Sequence, residues 1–362
     1  VRTGAKASFA DTISGTDLIV GARSGSVQLL LYSVFRIGNA TNNVTWESYQ
    51  DIAARPDVDW IVPISLGDSH RQFRVMGTTQ AFFDHYKYRQ GRSLAMSEGI
   101  VMDDLFDTVI GSEVAATLDY EIGDPIVVAH GLASFSEHKD QPFRVSGILE
   151  KTGTPVDRTV IVSLEAIEAI HVDWQNGAQV PGRATSADVI REMELTPKAI
   201  TAALIGVESP LQTFALQRAI NEYREEPLLA ILPGVALQEL WGIVGIAETA
   251  LLAVSAMVVV TALIGMMATI FSSLNERRRE MAILRAMGAR PVTILSMLVL
   301  EAMVMAAIGA LLGLVFLYAG LLIAQPILDT TFGLWLPIDA PTMREFWGLV
   351  GVVCAGAIVS VI

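Results

Sequence analysis

Two stretches constrain this chain more than anything else in it. From Ala250 to Phe271 no charged residue occurs across 22 positions, and from Ala302 to Ala324 none occurs across 23. At 1.5 Å per helical residue, each run can cross the roughly 30 Å of hydrocarbon in a bilayer. A third apolar run begins near Phe346 and is still apolar at Ile362, where the sequence stops. Spans are therefore expected at about 243–273, 292–324 and 346–362, the last truncated.

Charge orients these spans. Between the first two lie Arg277, Arg278, Arg279, Arg285 and Arg290 against Glu276 and Glu280, a net of +3. The next loop, Gln325 to Glu345, carries Asp329, Asp339 and Glu345 against Arg344, a net of −2. Arginine and lysine in short loops mark the cytoplasmic side. Residues 1–240 are then expected outside the cytoplasm, which requires an exporting helix ahead of them. The opening "VRTGAKASFADTISGTDLIV" holds neither a signal core nor a span. A first span missing upstream of Val1 is expected, giving four in all. The single cysteine, Cys354, falls in the third apolar run, so the outer region has no disulfide framework.

The outer region reads as mixed α/β. "DLIVGA" (Asp17 to Ala22), "VDWIVPISLG" (Val58 to Gly67) and "RQFRVMGTT" (Arg71 to Thr79) are β-branched runs bounded by Gly, Pro or Asp, and predict strands. "TWESYQDIAARP" predicts a helix with Thr45 as N-cap and Pro56 as its stop. Texture changes near Gln90 and again after Pro197, so one lobe is expected to be inserted in another: an outer lobe at about 13–89 and 196–233, an insertion at about 90–195. From Ala236 to Trp241 the chain enters the first retained span with no linker signal, which predicts a stalk continuous with the membrane helix.

Placed on a helix at 100° per residue, "ERRREMAILRAMG" brings Met281, Ile283, Leu284, Met287 and Gly288 onto one face with Glu280 inside it. Arg278 and Arg285 lie side by side, Arg279 lies across from the stripe, and Arg277 can pair with Glu280 at i, i+3. Arginines beside a span often serve only topology and lipid phosphates. An apolar stripe with an embedded acid is the pattern of a helix that docks on another protein.

At this point a family resemblance is plain. "RRREMAILRAMGARPVTILSMLVLEAMVMAAIGALLGLVFLYAG" resembles the signature region of the FtsX-like permeases, which include MacB-type and LolC/LolE-type members of ATP-driven membrane machines. "IVMDDLFDTVIGSEVAATLDYEIGDPIVV" and "FRVSGILEKTGTPVDRTVIVSLEAI" are similar to the MacB-type extracytoplasmic domain. The resemblance implies porter and Sabre-like lobes for the outer region and an α-helical transmembrane bundle. It implies that Arg277, Arg278, Arg279, Glu280, Ile283, Leu284, Arg285, Met287 and Gly288 contact a cytoplasmic ABC ATPase. It further implies a second permease protomer, a homodimer by preference, and a bacterial inner membrane location with the large domain in the periplasm. A periplasmic adaptor or substrate-binding partner is a further expectation; nucleic acid is not.

The chain has no GxxxxGK[ST] loop, so ATP and Mg are expected on a partner ATPase or a fused domain outside this sequence. No HExxH, CxxC or GxSxG occurs either, and a non-catalytic permease that transmits ATP hydrolysis to the outer domain is the expected activity. Two alternatives stay open: an FtsX-type regulator of a cell-wall hydrolase, and a lipoprotein-releasing subunit. Glu301, about 15 Å into its span, is either a coupling or proton site or a protonated acid bonded to a neighbouring helix near Ser255 or Thr261. Glu248 lies nearer the outer end of its span. Gly309 and Gly313, extended by Ala302 and Ala306, form a small-residue packing face. His70, His85, His130, His138 and His171 all fall in the outer region; the pair flanking "GLASFSE" matches no standard metal spacing, and no metal site is expected.

Overall fold

The β-branched runs become strands, and helices fill the gaps between them. A computed structural model describes residues 12–89, 91–130, 143–175, 178–179, 185–276, 278–332, 340 and 342–359. The chain divides into two units, Arg2–Trp241 and Gly242–Ile362. The main strands are β1 (Leu18–Ala22), β2 (Val58–His70), β3 (Phe73–Thr78), β4 (Met96–Gly99), β5 (Asp107–Ile110), β6 (Phe143–Leu149), β7 (Thr159–Ser163), β8 (Ala202–Val207) and β9 (Leu228–Ile231). The helices are α1 (Ser26–Ser33), α2 (Trp46–Ala53), α3 (Ala81–His85), α4 (Ser112–Leu118), α5 (Leu164–Ala169), α6 (Ala187–Arg191), α7 (Thr213–Asn221), α8 (Pro233–Glu276), α9 (Arg278–Ala286), α10 (Pro291–Phe332) and α11 (Met343–Val359).

One sheet organises the first unit, in the order β9-β1-β8-β2-β3-β7-β5-β6-β4, with short strands Pro125–Ile126 and Ala129–His130 added to β6 and β2. The pairs β3–β7 and β5–β6 are parallel, and the other neighbours are antiparallel. The long strand β2 joins the two ends of this path. Its first half pairs with β8 (Val58 with Val207, Ile64 with Ala202), and its second half with β3 (Ser65 with Gly77, His70 with Phe73). The exchange falls beside Pro63, which has no N–H to give a ladder. The sheet runs through the texture boundaries near 90 and 195, since β3 precedes the first of them and pairs along its length with β7, which follows it.

Three apolar clusters hold this unit. The largest sets Leu29, Leu30 and Tyr32 of α1 against Val62, Ile64, Met76 and Leu204; a second gathers Phe73, Val75, Phe143 and Val160; a third seats Ile52 of α2 and Leu216 and Ile220 of α7 on β1 and β8. Full burial of one such side chain contributes about 1.5–3 kcal/mol. Thr45 caps α2 as expected, its Oγ1 accepting from the Ser48 N–H. Asp157 holds the loop before β7: its carboxylate accepts from the Thr152 N–H (2.8 Å), the Thr152 hydroxyl (2.7 Å) and the Gly153 N–H (2.7 Å). At the β9 edge, Asn221 of α7 accepts from the Ala230 N–H (2.7 Å) and donates to the Ala230 carbonyl (3.4 Å).

Among the described residues two helices are long and apolar enough to cross a membrane, over Pro233–Thr269 and Pro291–Pro326. The first of these segments starts within the Arg2–Trp241 unit. A shorter apolar helix covers Phe346–Ala355.

Candidate functional site

The arginine-rich stretch forms α9, and the stripe read from the sequence is uncovered. Ile283 is 58% and Met287 72% exposed, while Met281 and Leu284 are partly covered. Arg279, Glu280 and Arg285 are exposed around them. Arg277, and the side chain of Arg278, lie outside the described residues. The stop is a Schellman motif: Gly288 has φ +94°, its N–H donates to Arg285 O (3.0 Å), and Ala289 N–H donates to Leu284 O (3.0 Å). Only a residue without Cβ takes that φ cheaply. Pro291 then opens α10 from the first helical position, where its missing N–H costs nothing. The sequence Gly288-Ala289-Arg290-Pro291 thus ends one helix and starts the next within four residues.

The residues assigned to the membrane spans lie on α8 and α10. Glu301 is ten residues after Pro291 and adjoins Ala302, a buried position in this unit. The hydroxyls considered as its partners are engaged locally: Ser255 donates to Leu251 O and Thr261 to Met257 O, both at 2.9 Å. Gly309 and Gly313 have no atom of the described residues within 4 Å of where a Cβ would stand, so nothing described packs on that side of α10. Glu248 is partly covered.

A feature missed at the sequence level sits where α8 begins. Ala236 and Leu237 are buried in the largest cluster, Leu240 packs against it, and the Ser26 hydroxyl at the start of α1 donates to the Glu239 carboxylate. The first two turns of α8 are therefore seated on the sheet domain. The spacing of Ala236, Leu237 and Leu240 was the available signal; Ser26 offers none, because it lies 213 positions away.

His70, His85 and His171 pack or bond within the first unit. His70 is buried at the end of β2, its Nδ1 2.7 Å from Val127 O and its Nε2 2.9 Å from the Tyr120 hydroxyl. His85 stacks on Trp60, and His171 lies against Ile167 O. The side chain of His130, and all of His138, lie outside the described residues. Among the described residues no group of three or more His, Cys, Asp or Glu side chains could hold a metal ion. Elsewhere in this unit, Asp104 is held below its ordinary carboxylate range by the hydrogen bond from Arg191. Burial pushes the Tyr86 hydroxyl up to about 12.

Comparisons with known proteins now bear on this arrangement. The MacB-like periplasmic core domain matches residues 1–219, and the FtsX-like permease C-terminal domain matches residues 252–362. An uncharacterized ABC transporter permease of Methanocaldococcus jannaschii is 23% identical over 229 residues, covering 62% of this chain and 50% of the relative. The chain thus spans about half the length of that relative. Among solved structures, the periplasmic region of MacB from Actinobacillus actinomycetemcomitans aligns at TM-score 0.39 and 10% identity, over 63% of this chain and 94% of that one. The extracellular domain of the noncanonic ABC-type transporter YknZ from Gram-positive bacteria aligns at 0.36 and 13%, over 60% and 99%.

Proposed function

Since this chain belongs to the MacB-like periplasmic core domain family and carries an FtsX-like permease C-terminal domain, we propose that it is the permease subunit of an ATP-driven transporter that passes cytoplasmic ATP hydrolysis to its outer domain. Permeases of this family are normally non-catalytic, and an ATPase partner at a membrane goes with the family. The finer assignments are ours: α9 docks on the ATPase, two permease chains work together, the outer domain divides into porter and Sabre-like lobes and acts in the periplasm, and ATP and Mg sit on the partner.

The observation that carries the docking assignment is the uncovered stripe of α9. A short helix whose Ile283 and Met287 face outward, with Glu280 and Arg285 around them, offers an apolar anchor and a charged rim. Its sharp stop, set by Gly288 and Pro291, suits a lever that must transmit rather than absorb a push. The seating of Ala236, Leu237 and Glu239 on the outer domain supports α8 as the stalk.

The test is Glu280→Lys, which reverses the acid within the stripe. The variant should insert into membranes normally, yet co-purify with the cognate ATPase at least tenfold less and lose its stimulation of ATP hydrolysis. Unchanged stimulation would sink the docking assignment.

A further inference from the structure

We infer that the turn from Glu208 to Phe214 is a docking surface for a second protein, one that presents an apolar side chain flanked by lysine or arginine. Leu211 is 90% and Phe214 69% exposed, and they stand three residues apart on one turn leading into α7. Single exposed apolar residues are ordinary on a protein surface; a leucine and a phenylalanine three residues apart at such exposure are the form of an anchor awaiting a pocket. The turn itself is held firmly, because Thr213, Leu216 and Ile220 on the other face of α7 are buried. The pair is thus displayed on a fixed helix.

Strand register places this turn within the first unit. Leu18 is level with Ile205, and Ile19 with Ile231, so the N-terminal end of β1 lies with the C-terminal ends of β8 and β9. Pro210 follows Val207 by three residues, which puts Leu211 and Phe214 at that end. Ser26 and Glu239 lie at the opposite end, beyond Ala22 and Leu228. α8 begins at the end of the sheet that carries the turn, at Pro233 just after Ile231, and runs back towards the Ser26–Glu239 contact at the other end.

Charge selects the occupant. At the same end of the sheet stand Glu208, Asp59 beside Val58, and Asp17, whose carboxylate accepts from the Val207 N–H at 2.9 Å. Arg55 is already paired with Asp57 at 2.9 Å, and Arg218 lies one turn further along α7. Residues 1–241 carry 31 acidic against 19 basic residues, a net of −12. A second copy of this chain would bring the same charge to the same patch, whereas a basic rim would be complementary. Two polar atoms here, Thr16 Oγ1 and Gln212 Oε1, are shut off from solvent without a hydrogen-bond partner, a local cost that a rearrangement on binding could recover.

The surface belongs to the first unit alone and stands whether or not α9 docks on an ATPase. It is tested by placing the photo-crosslinking amino acid benzoylphenylalanine at position 214 in the full chain in its native membrane, with position 122 as an exposed apolar control. The expected result is one crosslinked protein at 214 and none at 122. That protein, once purified, should bind the detergent-solubilised chain, at least tenfold more weakly after Leu211→Asp and at least fivefold more weakly after Glu208→Lys. Circular dichroism of both variants checks that the fold is retained. A crosslink only to a second copy of this chain, a crosslink only to lipid, no crosslink, or affinity unmoved by Glu208→Lys would each overturn the proposal.

Discussion

The two units use the same residue types in opposite ways. In the first, glycines on and beside the sheet make room for something already present: a Cβ on Gly206 would fall 2.0 Å from the Trp60 indole nitrogen, and one on Gly111 would fall 2.3 Å from Val156 O. In the second, Gly245, Gly265, Gly309, Gly313 and Gly320 have nothing within 4 Å of that point. Hydroxyls divide likewise. Thr78, Thr108 and Ser146 donate across the sheet to Pro63, Ile161 and Thr108 carbonyls. Thr249, Ser255, Thr261 and Thr269 each donate to the carbonyl four residues back on their own helix, at 2.9 Å. These first-unit hydroxyls reach across the sheet to distant parts of the chain, whereas these second-unit hydroxyls turn back on their own helices, as hydrocarbon demands, and among the described residues nothing packs on the glycines of those helices. A bare glycine face on an apolar helix is room for another helix.

This contrast can be broken most decisively by asking which side of the membrane each segment faces. In a Cys354→Ala background, cysteines at Ser97 on β4 and Ala282 on α9, both exposed, should react with a membrane-impermeant thiol reagent in all-or-none fashion. Ser97→Cys is expected to label in intact cells with the outer barrier permeabilised, and Ala282→Cys only after lysis. Equal labelling in intact cells would refute the opposed placement. Ser69, on β2, is buried and would not report.

A smaller effect separates two phenylalanines. Phe73 is fully buried between sheet and helices, so Phe73→Ala should destabilise the first unit by about 3–5 kcal/mol. Phe316 is 74% exposed on α10, and Phe316→Ala should shift the thermal unfolding of the detergent-solubilised protein by less than about 1 kcal/mol. Comparable losses at both would show that α10 packs against a partner at Phe316.

The smallest effect concerns acid. Arg191 depresses the Asp104 carboxyl in the folded state, so this pair stabilises above the unfolded carboxylate pKa of about 3.9 and loses its contribution as pH falls through the folded value. Both partners are about two-fifths exposed, which limits the gain to under about 1 kcal/mol. Melting of Asp104→Asn should therefore lie slightly below wild type at pH 7, with a gap that narrows as pH falls below about 3.9 and closes only below the depressed folded value. A gap that does not narrow in acid would assign the loss to packing rather than charge.

Much of this was legible in the sequence, for identifiable reasons. β1, β2 and β3 announce themselves through β-branched runs, α2 through the Thr45 cap, and the end of α9 through Gly288 and Pro291, all of which are local signals. What stayed hidden depends on register between distant segments. No local pattern says that β2 changes partners after Ile64, that β3 and β7 run parallel, or that Ser26 meets Glu239. The exposure of Leu211 and Phe214 was equally unreadable, because "LQTFALQRAI" has enough apolar residues to bury either face of α7.

The Asn221 amide, which accepts from and donates to Ala230, has a consequence for crowding. A sheet edge is a template, and chains confined to a membrane meet one another by diffusion in two dimensions, far more often than in free solution. By occupying both hydrogen-bonding groups of Ala230, Asn221 imitates a neighbouring strand with a single side chain and closes the middle of β9 to any real one. The opposite border is β4, only four residues long, with Glu98 exposed and Gly99 turned to φ +76°. One border is sealed and the other is short, charged and bent, so the sheet does not propagate from copy to copy, however densely the bilayer is populated.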